Sequence, residues 1–148
     1  DDQEISEIIK RSAKILGIQL NDKAAEEIAK RSRFTPRTAN FLLKRCRDYA
    51  QIHKEDMDEK VISSALKMLG VDEKGLNQSD RDILKTIINK FGGGPVGIGT
   101  IAAALSEEPD NIEEYNEPYL IQIGLLERTP RGRVATPKAH AHLQSLDS

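Results

Sequence analysis

Through its first seventy residues the chain returns apolar side chains at intervals of three and four, and each such stretch is bracketed by residues that start or stop helices. That spacing gives a helix one face for a core, whereas a strand needs a period of two. Ile5, Ile8, Ile9, Ala13 and Leu16 form the first stripe, and Gly17 supplies a left-handed stop. Asn21 or Asp22 can cap a second helix carrying Ala25, Ile28 and Ala29. Thr35-Pro36 opens a third: the threonine oxygen caps, and proline at the first helical position gives up an N–H that had no helical partner. Its apolar positions are Ala39, Leu42, Leu43, Cys46 and Ala50. Asp56, with Glu59 three residues on, resembles a capping box for a fourth helix through Val61, Ile62, Ala65, Leu66 and Leu69, closing at Gly70. The 148 residues include only three Phe, three Tyr and no Trp. The core must rest on Leu, Ile, Val and Ala, which suits helix packing better than a sandwich or barrel.

After a connector at 71–75 the pattern changes. Leu84, Ile87, Ile88 and Phe91 stripe one helix, and Gly92-Gly93-Gly94-Pro95 breaks it. Val96-Gly97-Ile98 is too short for more than a β-bridge, and Thr100 to Ser106 reads as a small alanine-rich helix. Asp110 or Asn111 starts another, with Pro118 inside it, so a kink or break is expected there, and Gly124 ends it. Leu125 to Thr129 and Arg133 to Thr136 flank Pro130-Arg131-Gly132, a β-hairpin signal, and Pro137 sits where a last helix could begin. Helix, short strand, helix, helix, hairpin is the element order of a winged helix. The expectation is a mainly α chain of two small domains: helical over 1–75, and a winged helix with a short hairpin wing over 76–148.

Several classes are excluded. A single cysteine, Cys46, allows no intramolecular disulfide framework and no cysteine-rich zinc site, and its place in an apolar stripe predicts a buried core residue. No apolar run approaches the ~18 residues of a membrane span. The chain opens Asp1-Asp2-Gln3-Glu4, without the basic and apolar regions of a signal peptide and without a starting Met. The expectation is a piece of a longer protein from a reducing, cytoplasmic compartment. His53, His140 and His142 form no metal constellation, and the glycine run at 92–94 lacks the Gly-Lys-Ser/Thr of a phosphate loop, so a structural turn is expected there. No nucleophile triad or paired carboxylate arrangement stands out.

The formal net charge is −2, from 22 basic and 24 acidic residues, which rules out a broad electrostatic footprint for nucleic acid or membrane. The charge is uneven. Lys23 to Lys54 holds nine basic residues against three acids. Ile101 to Glu127 holds seven acids and no Lys or Arg, and Arg128 to Lys138 then holds four basic residues and no acid.

Four stretches carry a family resemblance. Arg31-Ser32-Arg33-Phe34-Thr35-Pro36-Arg37-Thr38-Ala39-Asn40 resembles the lid segment of the RuvB family, AAA+ motors of Holliday junction branch migration. Lys90 to Gly97 resembles that family's winged-helix domain, as do Glu117 to Gln122 and Arg128-Thr129-Pro130-Arg131-Gly132-Arg133-Val134-Ala135-Thr136. The resemblance implies a helical AAA+ lid followed by a winged helix, with the large ATPase domain that precedes the lid absent. The sequence indeed has no phosphate loop, so this chain alone is expected to be inactive as an ATPase. For the whole protein the resemblance implies ATP with Mg²⁺, a hexameric ring of RuvB subunits around duplex DNA or a Holliday junction, RuvA bound through the absent domain, and RuvC as a further partner.

Arg37 falls at the second position of a helix, where free N–H groups and the helix dipole favour anions and a guanidinium adds bidentate phosphate geometry. On pattern alone a solvated arginine on a basic helix is the plainer reading. The resemblance makes it the sensor-2 arginine, touching bound nucleotide with Pro36 beside it. The family usually has glycine where this chain has Phe34, so a positive φ there would strain the turn. Lys44, Arg45 and Arg47 cannot all face one way, and a solvated or subunit-facing helix surface is the plainer reading for most of the basic stretch.

In the hairpin, Arg128, Arg131 and Arg133 make a plausible phosphate clamp, with Arg128 and Arg133 opposed across the turn; a charged solubilising turn is the bland alternative. The resemblance implies that these arginines contact DNA backbone. The preceding helix carries Asp110, Glu113, Glu114 and Glu117, which would repel phosphates from a base-reading helix and so predict a grip without sequence reading. That helix argues against a winged-helix transcription regulator with a helical arm. The arginine-rich wing argues against a winged helix that binds only protein. Where the family often has a basic residue this chain has Pro109, and one phosphate contact is expected to be lost.

Overall fold

The computed structural model describes residues 1–146 and divides the chain into two compact units, Asp1–Asn77 and Gln78–Ser148, the last two residues of the second lying beyond the described part. The first unit is four helices: α1 (Asp2–Leu16), α2 (Asp22–Lys30), α3 (Pro36–His53) and α4 (Glu59–Met68). Their buried faces share one cluster built around Ile9, Ile28, Leu43, Ile62 and Leu66, with Ala24, Ala25 and Ala39 allowing close helix approach. Cys46 lies within it, and burial pushes its thiol up to about 12 against the pull of Arg31, so it stays neutral and packs as a small apolar group.

The starts and stops follow capping chemistry. Asn21 Oδ1 accepts from Ala24 N–H at 2.8 Å, Thr35 Oγ1 accepts from Thr38 N–H at 3.1 Å with Pro36 in the first turn, and Gly17 ends α1 at φ 72°. Three expectations fail. Asp56 does not cap α4: Asp58 does, accepting from Val61 N–H at 2.9 Å. Val61 is then the third helical residue, so Glu59 cannot close a capping box. Met57 before the cap and Ile62 after it instead occupy hydrophobic-staple positions, both buried in the core. Leu16 and Leu69, assigned to apolar stripes, are 40% and 41% exposed, each lying where a helix runs out. Phe34 does adopt a positive φ of 59°, following Arg33 at 56°, so two side-chain-bearing residues in succession hold the left-handed turn that leads into α3.

The second unit begins with α5 (Gln78–Phe91), which packs against α6 (Ile98–Leu105), the hairpin's second strand and α9 (Pro137–Leu146). Its buried apolar side chains are Ile83, Leu84 and Ile87; Ile83 was missing from the sequence stripe, while Ile88 and Phe91 are half-buried. The helix expected around Asp110 starts at Pro109 and is broken as its proline requires: α7 (Pro109–Asn111), a π-helical turn (Ile112–Asn116) and α8 (Glu117–Gln122). In a regular α ladder the Pro118 ring would press on the Glu114 carbonyl and offer it no N–H. The π turn widens the backbone just there, and Glu117 N–H reaches back to the Ile112 carbonyl. The wing follows, β1 (Leu126–Thr129) antiparallel to β2 (Gly132–Ala135), with Val96 bridged to Arg133 on the other side.

Asp58→Ala should lower the stability of the first unit by about 1 kcal/mol, as loss of a helix cap does. Asp56→Ala should stay within about 0.5 kcal/mol of the unaltered chain. Chemical denaturation of the two variants checks which aspartate caps α4.

Candidate nucleic-acid interface

Two glycines set where the wing sits. Val96 and Arg133 exchange backbone hydrogen bonds, Val96 N–H to the Arg133 carbonyl at 3.0 Å and Arg133 N–H to the Val96 carbonyl at 2.7 Å. A Cβ on Gly132, at φ 135°, would lie 2.6 Å from the Val96 carbonyl group, and one on Gly94, at φ 97°, would fall on the Arg133 carbonyl oxygen. Only glycine lets these segments approach so closely. Thr129 closes the turn: its hydroxyl donates to the Gly132 carbonyl at 2.7 Å and accepts from Arg131 N–H at 3.3 Å.

On this frame Arg128 and Arg133 are direct cross-strand partners, as the sequence suggested. What the sequence reading missed is that both reach the same carboxylate. Glu117, at the first turn of α8, has no exposed side-chain surface. Its Oε2 accepts from Arg133 Nε at 3.0 Å and its Oε1 from Arg133 Nη2 at 3.2 Å. The same Oε1 accepts from Arg128 Nε at 2.7 Å and from Arg128 Nη2. Those bonds and the carboxylate's charge push the Arg128 guanidinium above the usual arginine range, and Glu113 adds to the effect. Glu117 therefore does not belong with the acids that push phosphates away. Its charge is taken up internally, and only Asp110, Glu113 and Glu114 remain exposed on this segment.

The three hairpin arginines consequently differ. Arg133 is 15% exposed and committed to Glu117 through both edge nitrogens. Arg128 is tied along the same edge but remains 56% exposed. Arg131 stands exposed at the turn, its guanidinium without a partner among the described residues. A neighbouring buried polar contact steadies the helix side: Asn116 Nδ2 donates to Asp80 Oδ1 at 2.7 Å and to Ser79 Oγ at 3.2 Å, joining the π turn to the start of α5. One signal could have found both buried acids. Asp80 stands three, four and seven residues before Ile83, Leu84 and Ile87, and Glu117 stands three before Leu120. An acid on an apolar stripe needs a partner within the fold.

The first unit presents Arg37 at the second position of α3, exposed and without an ion-pair partner among the described residues, beside exposed Pro36. The surrounding basic stretch is occupied in part. Arg31, 6% exposed, donates to Glu27 at 2.6 Å and to Ser63 at 3.4 Å. Arg45 lies over the Phe41 ring and pairs with Asp48 at 2.6 Å, and Arg47 also reaches Asp48. Among the described residues no helix is long and apolar enough to cross a membrane.

A four-helix unit with a capped, arginine-bearing third helix, followed by a winged helix that carries three of its four arginines on one wing, defines a chain built as a lid-type helical unit plus a winged helix. The RuvB AAA lid domain matches residues 1–72 and the RuvB C-terminal winged helix domain matches residues 73–144. The chain belongs to the RuvB family. It is 49% identical over 148 residues to the Holliday junction branch migration complex subunit RuvB of Pediococcus pentosaceus, covering 99% of this chain and 44% of that protein. It is 53% identical over 143 residues to the subunit of the same name from Solibacter usitatus, covering 96% of this chain and 42% of that one. The fold superposes on the Thermotoga maritima RuvB Holliday junction branch migration motor with a TM-score of 0.94 at 47% identity, over 97% of this chain and 49% of that structure. The chain thus spans less than half the length of these relatives.

Replacing Arg133 by Ala would leave Glu117 with one guanidinium and should destabilise the winged helix by about 2 kcal/mol, the scale of a buried hydrogen bond to a charge. Arg131→Ala should leave its thermal transition within about 0.5 kcal/mol of the original. Equal melting of the two variants would contradict the division between them.

Proposed function

We propose that this chain is the lid and winged-helix portion of an ATP-dependent motor that drives branch migration of Holliday junctions in recombination and repair. The observation that carries the reading is the wing: arginines gathered on a hairpin braced from behind, in a chain whose curated relatives are named as branch migration subunits. The wing grips duplex backbone and reads no sequence. Arg131 and Arg128 offer donors to phosphates, while Arg133 holds the Glu117 carboxylate behind them. The exposed acids at Asp110, Glu113 and Glu114 keep the preceding segment away from the phosphates and so out of the major groove.

The domain division follows the same reading: a lid over about 1–75, a winged helix over about 76–148, and a large ATPase domain supplied by the longer protein. ATP with Mg²⁺ is the substrate of that longer protein. Arg37 suits the sensor-2 role, because it is exposed, free of ion pairs among the described residues, and placed where unsatisfied helix N–H groups already favour an anion. With Pro36 it would touch the nucleotide from the lid and couple its state to lid position. The assembly is a hexameric ring of RuvB subunits around duplex DNA, working with RuvA through the ATPase domain and with RuvC.

This 148-residue chain should bind mixed-sequence duplexes weakly and alike. Arg131→Ala should weaken binding to every sequence equally and reduce the salt slope by about 0.9, the value of one released phosphate contact. Strong preference for one sequence in a competition assay would favour a transcription regulator instead. In the full-length protein Arg37→Ala should lower ATP turnover or its coupling to DNA movement while the lid stays folded. Unchanged turnover and branch migration would remove Arg37 from the nucleotide site.

A further inference from the structure

Arginine carries five N–H donors. Arg128 directs two of them, on Nε and Nη2, to one oxygen of Glu117, so the bonded groups lie along one edge of its guanidinium plane. The Nη1 edge has no partner among the described residues, and the side chain is more than half exposed. Arg133 is placed differently. It is largely buried, spans both oxygens of the same carboxylate, and its backbone is held by Val96 on one side and by β1 on the other. Two guanidiniums on one carboxylate leave the cluster at +1. Arg133 alone can neutralise Glu117, and the charge of Arg128 is then in surplus.

We propose that Glu117 is a positioning residue for DNA binding: by holding Arg128 along its Nε edge it presents the open Nη1 edge to a backbone phosphate of duplex DNA, with Arg133 as the fixed counter-ion of the buried carboxylate. A long flexible cation loses much rotamer freedom when it binds an anion. Arg128 has lost that freedom before any phosphate arrives, so the contact forms with less opposing entropy. This inference rests on the wing meeting phosphate, and it adds a part to a residue that the acidic character of its helix would otherwise count against binding.

The sign of one substitution separates the two views of Glu117. If the carboxylate only subtracts positive charge from the wing, Glu117→Gln must tighten DNA binding. If it positions Arg128, Glu117→Gln must weaken it. The measurement is fluorescence anisotropy of the 148-residue chain on a mixed-sequence duplex across a salt series. The expected result is about fivefold weaker binding at roughly 0.15 M salt and a slope smaller by about 0.9, equivalent to one lost phosphate contact. In an Arg128→Ala background, Glu117→Gln should change affinity no further, because Glu117 acts through Arg128. A second loss of similar size there would assign Glu117 to general support of the wing and overturn the proposal.

Arginine side-chain NMR of the unaltered chain keeps the test open even if the variant unfolds. The Arg128 Nε proton should exchange slowly and resonate apart from the bulk, while Arg131 resembles free arginine. A bulk-like Arg128 signal would overturn the proposal. If the unaltered chain binds no duplex at any salt, the DNA reading falls and this inference falls with it. If it binds, and Glu117→Gln binds equally or more tightly, the inference alone falls.

Discussion

Glu117 has no solvent-exposed surface, so its charge has to be answered inside the protein. A buried carboxylate left alone would cost several kcal/mol, and it would take up a proton rather than stay ionised. Here each oxygen is engaged by a guanidinium, and the two guanidiniums come from opposite strands of one hairpin. A single residue thereby fixes β1 and β2 to each other and to α8. The local backbone serves that contact. Pro118 forbids a regular helix across this segment, and the π turn that accommodates it ends where Glu117 begins. Gly132 and Gly94 admit Val96 beside Arg133, so the innermost of the two arginines is held by its main chain as well as by its side chain.

Helix existence and capping were legible because each depends on neighbours close in sequence. Gly17, Asn21 and Thr35 do what their chemistry indicates, and the glycine-to-proline run at 92–95 breaks the chain where expected. The errors have local causes too. Asp56 and Asp58 are two residues apart, and Met57 between them decides the matter by burying itself as a staple. Leu16 and Leu69 keep the right spacing but stand at helix ends, where the core is no longer beneath them. Glu117 failed for another reason. Its partners lie eleven and sixteen residues away, brought back by a hairpin: its place on the apolar stripe marks it for burial, but no local rule states which residues of a returning strand it will meet. Composition counted it among the repelling charges, whereas burial and pairing remove it from them.

The candidate site on the lid shows the same limit from the opposite side. Nine basic residues between Lys23 and Lys54 look like a positive surface, yet Arg31 is spent on Glu27 inside the fold, and Arg45 and Arg47 share Asp48. Arg37 has no acid partner among the described residues, a property it shares with Lys23, Lys30, Lys44 and Lys54 but not with Arg31, Arg45 or Arg47, and one that the count of charges does not contain. The strained turn at Arg33 and Phe34 directs the chain into Thr35 and Pro36, so the position of Arg37 at the helix start is fixed by backbone geometry as well as by capping.

Charge bookkeeping by domain would assign the winged-helix half little affinity for a polyanion, since residues 76–148 hold seven basic and ten acidic residues. Pairing changes that estimate at the wing. With Glu117 neutralised, the hairpin presents one unpaired guanidinium at Arg131 and one half-engaged at Arg128. Two phosphate contacts give a salt slope of about −1.8, a small footprint that ordinary salt largely releases. In the proposed ring such a contact is repeated by identical subunits, and linked weak contacts reach high avidity while each one still lets go quickly. A tight or base-reading wing would hold each subunit at one site along the DNA. The physical requirement on the proposed grip, remade at every step, is therefore a pre-set geometry with few charges, which the buried Glu117 would supply at the expense of the wing's net charge.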